Sequence, residues 1–260
     1  MAEIAGDLAA LGIRPGDAVM VHASLRRIGP VPGGAGGVVA ALDAAVGPEG
    51  GLLMTLGADD DWDWVNARPE AERSDLLADA VPFDPLRTPA DGDVGYLAEA
   101  FRTTPGTQVT DNPEGRFGAR GALAEALIEA APWDDYYGAG SPLAHLCELG
   151  GKVLRLGADP DTVTLLHYAE YLAPVADKRR VVRHRRVLGP DGPVVRTVSC
   201  LDDSKGIVAW DGEDYFATIL KAYLADGRGA RGRVGGAASE LLDARDLTAF
   251  GVDWMARHLA

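Results

Sequence analysis

Apolar positions recur along this chain at two different spacings, and the switches between them outline the fold. A spacing of three to four predicts helices near 3–11, 36–46, 93–103, 119–131, 142–148, 164–173, 214–226 and 238–258. Short apolar runs bounded by Gly, Pro or Asp predict strands near 18–23, 51–56, 153–157, 181–188 and 194–201. The last two flank Gly189-Pro190-Asp191-Gly192-Pro193 and read as a β-hairpin. Strand–helix alternation predicts an α/β fold, a layered α/β/α sandwich around a central sheet that the hairpin makes mixed. Neither spacing holds from 57 to 92, which reads as an irregular acidic insertion. A loop that long inside a compact chain is usually functional. With no internal repeat and no separating linker, residues 1–260 read as a single domain.

The most informative stretch is 152–171, KVLRLGADPDTVTLLHYAEY. Residues 153–156 read as a buried strand, Gly157 opens a turn that closes near Pro160, and a helix follows. Thr162 or Thr164 is the expected cap, and Leu165, Leu166, Tyr168 and Ala169 give the helix its apolar surface. Its first turn carries His167, and Glu170 at i+3 shares the same face. An imidazole just beyond the C-terminal end of a strand is placed where an α/β enzyme keeps a general base. A lone histidine in such a helix is more often structural, so the surrounding sequence has to decide.

It does. The segment resembles the signature of the aminoglycoside 3-N-acetyltransferase family, a strand and turn followed by a Thr-x-Leu-His-x-Ala-Glu helix. Other segments agree in order: Val19-Met20-Val21-His22-Ala23-Ser24-Leu25 with Gly33-Gly34, then Val46-Gly47-Pro48-Glu49-Gly50-Gly51, then Phe83-Asp84-Pro85 with Thr88-Pro89, then Gly140-Ser141-Pro142-Leu143. The resemblance spans essentially the whole chain. It implies acetyl-CoA-dependent acetylation of the 3-amino group of aminoglycosides by direct transfer, with His167 as general base. Glu170, or a carboxylate of the later acidic segment (Glu213 or Asp214), is expected to support the imidazole. It implies a coenzyme site at His22, Ala23, Ser24, Leu25, Arg26, Gly33 and Gly34, where a glycine-rich loop opening a helix suits phosphate. The pattern is departed from where Ala23 replaces a serine, Val163 an asparagine, Asn112 a histidine, and Thr55-Leu56-Gly57 a Met-Pro-Ser/Thr ending. Those changes bear on contacts, not on the reaction class.

Composition narrows the partners. Lys and Arg number 25 against 39 Asp and Glu, a formal charge of −14. That disfavours nucleic acid and anionic membrane and suits a polycationic small molecule. Carboxylates beside aromatic rings bind ammonium groups and cover sugar rings. Asp59, Asp61, Trp62, Asp63, Trp64, Asp84, Asp202 and Asp203 are therefore the substrate-binding candidates. Asp134-Asp135-Tyr136-Tyr137 is a similar cluster. The basic block Lys178-Arg179-Arg180-Val181-Val182-Arg183-His184-Arg185-Arg186 reads as a solvated arginine-rich strand offsetting acidic neighbours, with a coenzyme phosphate as the alternative partner. No metal-ligand spacing stands out, so no metal is expected. The two cysteines, the absence of a membrane-length apolar run and the unbasic N-terminus MAEIAGDLAALGI point to the cytoplasm. Oligomeric state is open between monomer and homodimer. Two rival readings remain: an acetyltransferase of the same fold acting on another small amine, and a non-catalytic acidic binder of cationic small molecules.

Overall fold

The computed structural model describes residues 2–59 and 61–259; Asp60, in the first acidic run, lies outside them. Three parallel strands form the centre: β1 (Ala18–Ala23), β2 (Gly51–Thr55) and β5 (Lys152–Leu156). Antiparallel strands extend both edges. β4 (Phe117–Gly121) and β3 (Gln108–Val109) lie beyond β2, while β9 (Ala237–Asp243) and β8 (Ala230–Val234) lie beyond β5, giving the order β3-β4-β2-β1-β5-β9-β8.

The central strands are apolar nearly throughout because both sheet faces are covered. Val19 and Val21 of β1 and Leu52 and Met54 of β2 pack with α1 (Ala2–Leu11), α3 (Gly34–Val46) and α5 (Tyr96–Thr103). Met20, Leu53 and Val153 face the other way. They meet α6 (Ala124–Ile128), α7 (Pro142–Glu148), α8 (Leu165–Leu172), α9 (Tyr215–Ala225) and α10 (Ala244–His258). The layered α/β/α sandwich with a mixed sheet is thus observed.

Its mixed character has a different origin from the one expected. The hairpin β6 (Arg180–Gly189) and β7 (Gly192–Leu201) forms a separate two-stranded sheet, and antiparallel β4, β9 and β3 make the central sheet mixed. Two expected helices are also corrected. Residues 117–121 are strand β4, with helix only from Ala124, and the expected helix 238–258 is β9 followed by α10. Pairing on both sides of β4 overrides the helical propensity of its Ala-rich surroundings.

The 57–92 insertion is more ordered than its sequence suggests. It holds 3-10 turns at Asp63–Ala67, Leu77–Asp79 and Gly92–Val94, a helix α4 (Glu70–Leu76), and a small core of Val65, Leu77 and Ala80. Phe83 pairs with Val187 of β6, donating its N–H to Arg186 O at 2.8 Å. Fully buried Arg116 staples the ends, donating to Gly57 O, Pro89 O and Pro85 O at 3.2, 3.1 and 2.6 Å. Among the described residues no helix is long and apolar enough to cross a membrane.

Candidate active site

The carboxyl ends of the three parallel strands meet at one edge of the sheet, where ligands of open α/β sheets bind. Two cavities open there, on either side of the 3-10 turn Pro160–Thr162 that leads from β5 into α8. Asp161 lines one and Thr162 the other.

The first cavity, about 250 Å3, contains His167. His167 Nδ1 lies 2.7 Å from Glu170 Oε2, one helical turn along α8, and Glu170 is 1 % exposed. A buried carboxylate accepts, so Nδ1 carries the proton and Nε2 is the face left for chemistry. Burial alone would lower the imidazole pKa; the charge and hydrogen bond of Glu170 override it, so the pKa is raised above the ordinary histidine value. Tyr215 O–H in turn donates to the other Glu170 oxygen, and Ile207 N–H donates to the phenol at 3.3 Å. The Tyr137 ring stacks on the imidazole at 4.8 Å and 8°, and Phe216 meets it edge-on at 4.7 Å. The ring is held on every side but one.

The helix start differs from expectation. Thr164 sits at the cap position with helical dihedrals and no capping bond, and the Thr162 hydroxyl donates to Asp159 O at 2.7 Å. The preceding 3-10 turn, not a side chain, aims α8.

Of the later carboxylates, Asp214 and Asp203 line the His167 cavity. Asp214 caps α9, its Oδ1 accepting from Phe216 N and Ala217 N. Glu213 turns outward to pair with Lys221 and is not the partner of His167, because the cap at Asp214 sends the preceding side chain to solvent. Asp202 is 3 % exposed and accepts from the Ser204 and Lys205 N–H groups, so its carboxylate shapes the loop that follows it.

The second cavity, about 550 Å3, is lined by His22, Ala23, Ser24, Leu25 and Arg26 together with Thr55, Tyr96 and Thr164. Gly33 and Gly34 stand apart from this lining and open α3, Gly33 in the left-handed region at φ 84°. His22 is buried with no hydrogen-bond partner for Nε2. Burial first, and the Arg155 charge second, lower its pKa to about 4, so this imidazole is neutral.

A third cavity, about 460 Å3, lies between the insertion and the hairpin and takes Asp59, Asp61, Trp62 and Asp84. Asp84 spends Oδ1 on the Leu86 and Arg87 N–H groups. Asp63 accepts from Arg185 at 2.8 Å, and Trp64 lies under Arg68. The arginine-rich strand is only partly solvated: Arg180 is exposed as expected, whereas Arg183 is buried and Arg185 half-buried among carboxylates.

Sequence reasoning missed Tyr137, Tyr215 and Phe216 as supports of His167. A signal existed in the Asp-Asp-Tyr-Tyr cluster, but Tyr137 stacks on the imidazole and Tyr136 O–H donates to Asp203, while Asp134 and Asp135 hold Ser199 and Arg180.

Comparison with known proteins shows the family. The profile of the family described as aminoglycoside 3-N-acetyltransferase matches residues 20–256. Aminoglycoside N(3)-acetyltransferase III of Serratia marcescens is 42 % identical over 98 % of this chain and 96 % of its own length. Aminoglycoside N(3)-acetyltransferase VII of Streptomyces paromomycinus is 40 % identical over 98 % and 91 %. Among solved structures, AAC-IIIb in binary complex with CoASH superposes with a TM-score of 0.93 at 42 % identity, covering 100 % of this chain and 97 % of that one. A room-temperature structure of sisomicin-bound AAC-VIa superposes at 0.91 and 38 % identity, covering 100 % and 98 %. The chain belongs to the aminoglycoside 3-N-acetyltransferase family and is an acyltransferase.

Proposed function

We propose that this protein transfers the acetyl group of acetyl-CoA directly to the 3-amino group of an aminoglycoside, with His167 as general base, and that this acetylation confers resistance. The observation that carries the reading is the His167 Nδ1–Glu170 pair at 2.7 Å, inside a cavity walled by Asp161, Asp203 and Asp214. The fixed tautomer leaves Nε2 to take the proton of the attacking amine. Glu170 then faces an imidazolium and stabilises it, while Tyr215 keeps that carboxylate from rotating. Tyr137 and Phe216 exclude water from the flanks of the ring.

The cavity beside β1 fits the coenzyme. Its orphaned His22 Nε2 awaits a polar partner, as a ligand amide would provide, and Arg26 supplies positive charge for phosphate. Bound there, acetyl-CoA supplies the acyl group as a thioester. As the C–N bond forms, the amine proton passes to His167, the C–S bond breaks and the sulfur leaves as a thiolate, which takes the proton back from the His167 imidazolium to give the thiol. Ser24 lines the same cavity, and its hydroxyl would polarise the carbonyl. Direct transfer is supported by the state of the cysteines: Cys147 and Cys200 are buried, and burial raises both thiol pKa values.

The test is thiol release from acetyl-CoA in the presence of sisomicin, with the product mapped by NMR. One thiol per acetylated drug, with the acetyl on the 3-amino nitrogen, is expected. Drug-independent hydrolysis, or acetylation elsewhere, would refute the assignment.

A further inference from the structure

The chemistry at His167 leaves unexplained why β6 carries such deeply placed charge. Arg183 and Arg185 stand two residues apart on β6, their side chains 10 % and 11 % exposed. Between them sits Glu114, 9 % exposed, from the turn after β3. Arg183 Nη1 is 3.5 Å from Glu114 Oε2, and Arg185 Nε forms an ion pair with Oε1. On its other side, Arg183 Nη2 donates to Asp203 Oδ1 at 2.6 Å and to Ser204 Oγ at 2.7 Å. Arg185 ends on Asp63 at 2.8 Å. Charge alternates along Asp203, Arg183, Glu114, Arg185 and Asp63, from the wall of the His167 cavity to the insertion.

Glu114 is the costly member. Burial raises its carboxyl pKa, against the pull of Arg185 and Arg183. A buried carboxylate survives only against such partners, and its presence changes what Arg183 does to Asp203. Serving Asp203 alone, the guanidinium would cancel that carboxylate through a short charge-assisted bond. Shared with Glu114, it cancels only part. Both Asp203 oxygens are also fixed in place, Oδ1 by Arg183 and Oδ2 by Tyr136 O–H at 2.5 Å.

We propose that Glu114 is a positioning residue which, by sharing Arg183, keeps Asp203 negative toward the cavity, where Asp203 holds an ammonium group of a polycationic amine beside His167. The inference rests on reading the site as an amine acetyltransferase. It requires Glu114 to act only through Asp203, at a distance from the reacting atoms.

The experiment compares wild type, Glu114→Gln, Asp203→Asn and the double variant in steady-state thiol release with acetyl-CoA and sisomicin. Calorimetric binding of sisomicin is measured on the same four proteins. Wild-type turnover reports on the reaction itself; should it be absent, the acetyltransferase reading fails while the binding data still decide the inference. For Glu114→Gln, KM or Kd is expected to rise about fivefold with kcat within about twofold, and the salt dependence of kcat/KM to weaken. Asp203→Asn is expected to raise KM at least as much, and Glu114→Gln to add nothing in that background. A KM effect of Glu114→Gln that persists beside Asp203→Asn, or a loss of stability alone, would overturn the proposal. So would an unchanged KM in Asp203→Asn, whether or not Glu114→Gln folds.

Discussion

Two histidines stand at the carboxyl edge of the same sheet, one on each side of the 160–162 turn, and their surroundings push them in opposite directions. His22 is buried near Arg155 and held neutral, its pKa lowered to about 4. His167 is half-buried, and there Glu170 raises its pKa above the usual value. Desolvation pulls both pKa values down, so what separates them is the sign of the adjacent charge. An imidazole with its pKa lowered to about 4 exchanges hydrogen bonds but resists taking a full proton, which suits a binding cavity. An imidazole braced by a carboxylate can accept a full proton, which suits a base.

Removing His167 is the largest test of that contrast. His167→Ala is expected to lower kcat by about a thousandfold, within the range for a general base, while coenzyme binding persists. His22→Gln should instead weaken coenzyme binding and largely spare kcat. Equal losses of kcat in both variants would erase the distinction; initial rates and coenzyme titration measure it.

Next is Glu170→Gln, with kcat expected to fall about a hundredfold. The base must be neutral to act, so wild-type kcat declines as pH falls below the raised His167 pKa. Without the carboxylate that pKa drops, and the acid limb of the profile moves to lower pH. A stationary limb would show that another group controls it.

The dyad was legible in the sequence because both members lie one helical turn apart in α8, a geometry that i, i+3 spacing dictates. The central strands were legible for a similar reason, since burial on both faces leaves unbroken apolar runs. What stayed hidden depends on pairing across the chain. Tyr215 reaches Glu170 from 45 residues away. Strand β8 was missed because its exposed Arg231 and Arg233 give it no apolar face. The arginines of β6 looked solvated, since nothing local announces a Glu114 brought from another loop.

Tyr215→Phe probes such a hidden contact. Loss of one hydrogen bond to Glu170 is expected to lower kcat about three- to tenfold, with the fold intact by circular dichroism.

The smallest effect is on stability, and there the two histidines have opposite signs. His22 folds in neutral form, so its contribution is present above pH 6.5 and is lost as pH falls toward about 4, up to about 3 kcal/mol in the fully coupled limit. His167, with a raised folded-state pKa, contributes below pH 6.5 and loses that contribution as pH rises through the raised value. Denaturant midpoints across pH 4–8 should fall less steeply on the acid side in His22→Gln than in wild type. Parallel curves would mean that His22 is not held neutral.

The most direct measurement of the central claim is the pH profile of kcat for thiol release with sisomicin, on wild type and His167→Ala side by side. A wild-type acid limb set by one group above the ordinary histidine value, gone in the variant together with about a thousandfold of rate, is what a His167 base predicts. The same limb at near-normal rate in His167→Ala would contradict it.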